Sequence, residues 1–227
     1  MRILPINENS VMLYFADEAN VDITNHIALF EAEVKKHFGH IIQDTIASYT
    51  SLFIIFDILQ IGLEDFGQKL QELSQNFIPS DISSLSSQLI EIPVYYGEEA
   101  ALDAKEVSQY TGLDFAEVIR IHQEKIYHVY AIGFSIGFAF LGQTDKQITI
   151  PRKSTPRLKI PPKSVGLADN QTAIYPKETP GGWQIIGRTP ITLVDFSLKE
   201  LSIFKVGAQV KFFSISKEEY LKMGGEL

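Results

Sequence analysis

The chain of 227 residues contains no cysteine. That absence excludes disulfides, thiolate zinc sites, iron–sulfur clusters and a cysteine nucleophile together, and it fits an expected cytoplasmic location. Basic residues are scarce at the start: residues 1–90 hold 4 Lys+Arg against 12 Asp+Glu, whereas residues 91–227 hold 16 of each. The net charge of −8 therefore sits in the first two-fifths of the chain, and a protein so charged is not expected to coat nucleic acid. Long hydrophobic runs are also lacking. The best membrane candidate, Ile126–Gly142, is uncharged but short for a span, with His128, two tyrosines and three glycines inside it. A buried strand plus a glycine loop is expected there, without membrane association. The opening MRILPINENS has one Arg and no apolar core of signal-peptide length, so export is not expected.

Several catalytic signatures are missing as well. There is no GxSxG, no Walker lysine loop and no GxGxxG. His26, His37 and His40 have no partner at metal-ligand spacing, and His122 with His128 lacks a carboxylate, so no metal is expected.

What is present reads as an α+β protein of two domains, 1–88 and 89–227. Val11–Ala16 is a short apolar strand, and Asn20 or Asp22 can cap a helix carrying Ile23, Ile27, Phe30 and Val34, with Gly39 as its stop. Ile41–Ala47 and Leu52–Ile58 are strands. Leu63, Phe66, Leu70, Leu73 and Phe77 mark a second helix before Pro79. A polar linker at Ser80–Ser87 precedes a strand at Leu89–Tyr96, whose Pro93 points to a sheet edge. The order βαββαβ is that of a ferredoxin-like unit. Two short helices follow around Thr111-Gly112, with Asp114 as a cap. VSQYTGLDFAEVIRIH resembles a DNA-binding helix-turn-helix, but Arg120 and Lys125 face Asp114, Glu117 and Glu124, too little positive charge for phosphates.

From Tyr127 the texture is β, with strands predicted at Tyr127–Phe134, Gln147–Ile150, Ser164–Ala168, Thr172–Tyr175, Trp183–Ile186, Ile191–Phe196 and Val210–Ile215. Seven of the ten prolines fall between Pro151 and Pro190. Short strands with frequent turns argue for a barrel or sandwich, closed by a short helix at Ser216–Met223.

The candidate chemistry lies in this half. Lys146 to Lys163 is a basic island with no acid before Asp169. Inside it, Pro151-Arg152-Lys-Ser-Thr-Pro156-Arg157 is extended by its prolines. Its two guanidiniums suit a carboxylate or phosphate, although a five-residue spacing places them on opposite sides of a strand. A solvated basic loop is the alternative. Gln171, Thr172 and Tyr175 offer an amide, a hydroxyl and a phenol near Pro176. Pro180-Gly181-Gly182-Trp183 permits close backbone approach beside an apolar wall, and Arg188 stands at a strand end. A hairpin with a core tryptophan is the alternative there.

The strings IGFSxGFxFLG at 132–142, PRxxxPR at 151–157, SVGLAxxQTxIYP at 164–176 and PGGWxxIGRTP at 180–190 resemble the family of Kip-type kinase inhibitors and allophanate hydrolase subunit 1. Weaker matches in the first half are SVMLYFA, TSLFIIFD and IEIPVYYG. The resemblance implies a small α+β domain followed by a cyclophilin-like β-barrel. It also implies non-autonomous hydrolase activity. The B-type members of ATP-dependent 5-oxoprolinase work beside a C-type, biotin-dependent carboxyltransferase-like subunit and an A-type subunit, opening 5-oxoproline to L-glutamate, with ATP acting through the complex. Two other family activities stand as alternatives: inhibition of a sensor histidine kinase, and carboxyl transfer to a urea-like substrate. The resemblance carries Arg152, Arg157, Gln171, Thr172, Tyr175 and Arg188 over as substrate-binding residues and leaves the catalytic group unknown. His122 matches a family position without an assigned role. Ile136 and Ala139 stand where the family usually has prolines.

Overall fold

The computed structural model describes residues 1–79, 89–197 and 201–227; the expected linker at Ser80–Ser87 lies outside them. The chain divides into two compact units, Met1–Ser87 and Gln88–Leu227. It is a mixed α+β protein whose strands are mostly antiparallel.

In the first unit β1 (Arg2–Asn7) and β2 (Ser10–Tyr14) form a hairpin, followed by α1 (Val21–Phe38), β3 (Ile42–Ser48), β4 (Ser51–Phe56) and α2 (Leu63–Asn76). The strands lie in the order β1-β2-β4-β3, all antiparallel. Asn20 caps α1 as expected, its side-chain oxygen accepting the Ile23 N–H at 2.9 Å. Strict alternation in β4 buries Leu52, Ile54 and Phe56; Ile27, Phe30 and Val34 of α1 and Phe66 and Leu70 of α2 are buried as well, and the Phe56 and Phe66 rings lie 4.5 Å apart.

This order departs from the expected βαββαβ. A strand is added at the front, where Pro5 hid the β pattern. The expected last strand, β5 (Leu89–Val94), instead pairs in parallel with β13 (Gln209–Ser214) of the second unit, with Ile92 opposite Phe212. Those apolar faces bury completely in the second core, and that burial decides the partner.

The second unit continues from β5 with α3 (Ala104–Thr111), α4 (Phe115–Glu124), β6 (Ile126–Ile132), β7 (Ala139–Gly142), β8 (Arg157–Ile160), β9 (Ser164–Ala168), β10 (Gln171–Ile174), β11 (Thr179–Gly181), β12 (Gln184–Arg188), β13 and α5 (Lys217–Lys222). Its main sheet runs β5-β13-β6-β7-β10-β9-β12, antiparallel except for the first pair. β8 and β11 form a separate ribbon. The sheet curls until its end strands meet, but not in a ladder. One bridge joins them, Tyr95 with Arg188, through N–H to carbonyl bonds of 2.8 and 2.9 Å. Among the described residues no closed barrel exists. Beyond Arg188 the Thr189 N–H donates to the Lys163 carbonyl at 3.0 Å instead, and Pro190 has no N–H to extend the pairing.

Other differences are local. Gln147–Ile150 is not a strand; a 3₁₀ turn spans Lys146–Ile148, capped by Asp145 accepting the Gln147 N–H at 2.9 Å. Ile191–Phe196 gives only a bridge between Val194 and Ser202. Asp114 occupies the N-cap position of α4 but makes no side-chain capping bond. Arg120 is paired with Glu117 and Glu124 on its own helix, so α4 presents no free guanidinium to a phosphate. No helix among the described residues is long and apolar enough to cross a membrane.

Candidate functional site

The segments singled out by the sequence meet at a cleft of about 100 Å³ in the second unit, lined by Phe134, Phe138, Phe140, Arg152, Tyr175, Gly181, Gly182 and Trp183. The loop between β6 and β7 supplies Phe134 and Phe138. Tyr175 follows β10, Gly181 ends β11, and Trp183 precedes β12. The rings stack edge to face: Phe138 lies 5.2 Å from Tyr175 and 5.7 Å from Trp183, and Phe134 lies 5.2 Å from Phe138. This geometry sets positive ring edges against negative faces and makes a rigid apolar box.

Polar groups enter the box at three places. Arg152 lays its guanidinium over Trp183, 5.9 Å from the ring centroid, and its other contact is a 3.9 Å approach to Asp169. Tyr175 is almost fully buried. Burial pushes its phenol up to about 12, against the opposing pull of the Trp183 N–H and the Arg152 charge, so the hydroxyl keeps its proton at neutral pH and remains a donor. Gly181 supplies bare backbone. A Cβ there would stand 2.5 Å from the Tyr175 oxygen and 2.8 Å from Ile160 Cδ1, so only glycine allows this approach. The arrangement suits a small planar molecule carrying an anionic group and a carbonyl.

Of the six carried-over residues, the structure brings Arg152 and Tyr175 together. The others are placed differently. Arg157 forks onto Asp103 with bonds of 2.6 and 2.7 Å. Arg188 is buried and donates to the Pro162 carbonyl at 3.1 and 3.3 Å. Thr172 is fully buried within β10, and Gln171 pairs with Gly142 and Ala168 at the strand start. Trp183 is in the core, yet not in a hairpin, because β11 pairs with β8 and β12 with β9.

His122 finds its place here. It is completely buried between Tyr127 and Phe212. Its Nδ1 meets the Tyr96 hydroxyl at 2.9 Å and its Nε2 meets Thr172 Oγ1 at 3.0 Å, while Thr172 donates to the Gly166 carbonyl at 3.1 Å. Thr172 spends its proton on Gly166, so Nε2 carries the hydrogen and Nδ1 accepts from Tyr96. Burial drives the imidazole down to about 3, and it is neutral. No metal-binding group of histidines and carboxylates exists among the described residues.

Sequence reasoning missed Asp103, Glu106 and Gln184. Asp103 precedes a helix and reads as a cap, but it makes no capping bond. Nothing in the sequence links it to Arg157, far along the chain.

The model of the carboxyltransferase domain, subdomain C and D, matches residues 1–204. The chain belongs to that family. It is 34% identical over 235 residues to the B-type subunit of 5-oxoprolinase from Bacillus subtilis (strain 168), covering 96% of this chain and 95% of that one. Against the corresponding 5-oxoprolinase subunit of Haemophilus influenzae it is 32% identical over 212 residues, covering 93% and 97%. Among solved structures, TTHA0988 superposes with a TM-score of 0.81 at 25% identity, covering 92% of this chain. This carboxyltransferase family member thus spans nearly the full length of those two curated relatives, but only 40% of TTHA0988.

Proposed function

We propose that the chain is the B-type subunit of an ATP-dependent 5-oxoprolinase, a hydrolase complex that opens the lactam of 5-oxoproline with water to give L-glutamate. Similarity along the whole length of two subunits of that name supports this reading. The observation that carries it is the pairing of Arg152 over Trp183 with a protonated Tyr175 in one aromatic cleft. A guanidinium suits the substrate carboxylate, the phenol suits the lactam carbonyl as its oxygen gains charge, and the aromatic walls suit the flat ring.

The residues present do not fit a nucleoside triphosphate. Among the described residues the cleft is lined by one guanidinium and by no glycine-rich loop with a following lysine, so this proposal places ATP with the partner subunits. A C-type, carboxyltransferase-like subunit and an A-type subunit complete the site in this proposal, and the chain alone is inactive, in the cytoplasm of its cell. In this proposal the curled sheet is an open, cyclophilin-like barrel whose end strands touch at a single bridge, and the first unit is a ferredoxin-like variant without its expected last strand.

Reconstitution tests the assignment: the chain is mixed with its C- and A-type partners, and glutamate is measured with 5-oxoproline and ATP. Glutamate formation that needs all three is expected, with Arg152→Ala raising KM roughly tenfold or more, the worth of a charged hydrogen bond. No glutamate from verified, folded partners would overturn the reading.

A further inference from the structure

Arg152 is held in the cleft by almost nothing of its own. Its side chain is 60% exposed, and among the described residues its contacts are the Trp183 ring and the distant Asp169. Its neighbours on both sides, in contrast, are pinned. The Pro151 carbonyl accepts from Gln184 Nε2 at 3.3 Å. The Lys153 N–H donates to the Gly182 carbonyl at 2.7 Å, and Lys153 Nζ reaches Asp103 at 2.9 Å and also Glu106. In an extended segment consecutive side chains point to opposite sides. Burying Lys153 on one side therefore turns Arg152 to the other.

Asp103 is the centre of this anchor. Its carboxylate, 2% exposed, accepts both arms of Arg157, the Lys153 ammonium and the Ile185 N–H at 2.7 Å. Its own N–H donates to the Ile185 carbonyl at 2.9 Å. Burial alone would raise this carboxyl, but the bonds from Arg157, Lys153 and Ile185 outweigh it and hold it ionised. One anion thus ties the start of α3, strand β12 and two points of the PRxxxPR segment, Lys153 and Arg157.

We infer that Asp103 is a positioning residue for substrate: by fixing Lys153 and Arg157 it sets the backbone that follows Arg152, and so aims the Arg152 guanidinium into the cleft. This rests on the reading of the cleft as the substrate site. A merely structural Asp103 would affect stability and leave the aim of Arg152 unchanged in the folded protein.

The test separates the two ideas. The side-chain proton resonances of Arg152, assigned by their loss in Arg152→Ala, carry an upfield ring-current shift from Trp183 that Trp183→Phe diminishes. In folded Asp103→Asn that shift is expected to collapse. Lys153→Met, which leaves the Asp103–Arg157 fork in place, is expected to reduce it too and serves if Asp103→Asn does not fold. In the reconstituted complex Asp103→Asn raises KM for 5-oxoproline roughly tenfold with kcat little changed, and adds nothing in an Arg152→Ala background. An unchanged ring-current shift in the folded variants would overturn the positioning role. A lost shift with KM insensitive to Arg152→Ala would instead sustain the anchor and overturn the cleft as substrate site.

Discussion

Replacing His122 with glutamine gives a test in which sign and size both follow from the structure. Imidazole is enclosed by Tyr127 and Phe212 and bonded to Tyr96 and Thr172. It is held neutral in the fold because its value falls from 6.5 to about 3. Unfolded, it takes a proton near its ordinary value. The unfolded chain therefore gains a proton that the folded chain refuses, and stability is lost as pH falls from about 6.5 toward about 3. The loss is about 1.4 kcal/mol per pH unit in that window. Between about pH 7.5 and about pH 5 the single group costs about 2 kcal/mol. His122→Gln keeps a donor and an acceptor but does not titrate, and every other group cancels in the comparison. Urea unfolding followed by fluorescence of Trp183, the sole tryptophan, reports the second unit. The variant is expected to lose about 2 kcal/mol less than the parent over that range. Parallel pH profiles would refute a buried, neutral His122.

Three further outcomes are expected. Arg157→Met leaves the Asp103 carboxylate short of its fork and should cost about 2–4 kcal/mol, seen as a lower thermal midpoint, whereas exposed Arg152→Ala should change stability by less than about 0.5 kcal/mol. Gly181→Ala drives a methyl into Tyr175 and Ile160, so 5-oxoproline KM should rise in the reconstituted complex while the far-ultraviolet dichroism is preserved. Gly137, at φ +79° with Val194 against it, should lose about 1–2 kcal/mol as alanine by thermal unfolding.

Much of the fold was legible wherever one face of an element is buried. Ser164–Ala168 is a strand at both predicted ends, because five apolar or small residues between turn signals leave no other reading. The helix at Val21–Phe38 was equally plain from its cap and its stripe. Proline-rich strands were not legible: Thr179-Pro180-Gly181 pairs with β8 at a bulge, where the missing donor does no harm. Gln147–Ile150 misled because Ile148 and Ile150 are both buried, which a turn can achieve as well as a strand. In the cleft, aromatic and glycine residues pointed to Trp183 and Tyr175. The fate of Arg157 depended on a carboxylate 54 residues away, and spacing along the chain cannot reveal a pairing of that kind. The basic island between Lys146 and Lys163 thus divides its work: Arg157 and Lys153 hold, and Arg152 is held out.

The parallel pairing of β5 with β13 carries a consequence for how the second unit comes into being. Leu89 lies beside Gln209 and Val94 beside Ser214, so the outermost strand of the sheet waits for a partner more than a hundred residues downstream. Non-local closure of this kind slows folding. Until residues 209–214 are made, Ile92 and Val94 have their apolar faces open to water while the cleft residues, all earlier in the chain, are already present. Completion of the core around Ile92, Val94 and Phe212, rather than of the cleft cluster around Tyr175 and Trp183, is therefore expected to be among the last events of the unit's assembly.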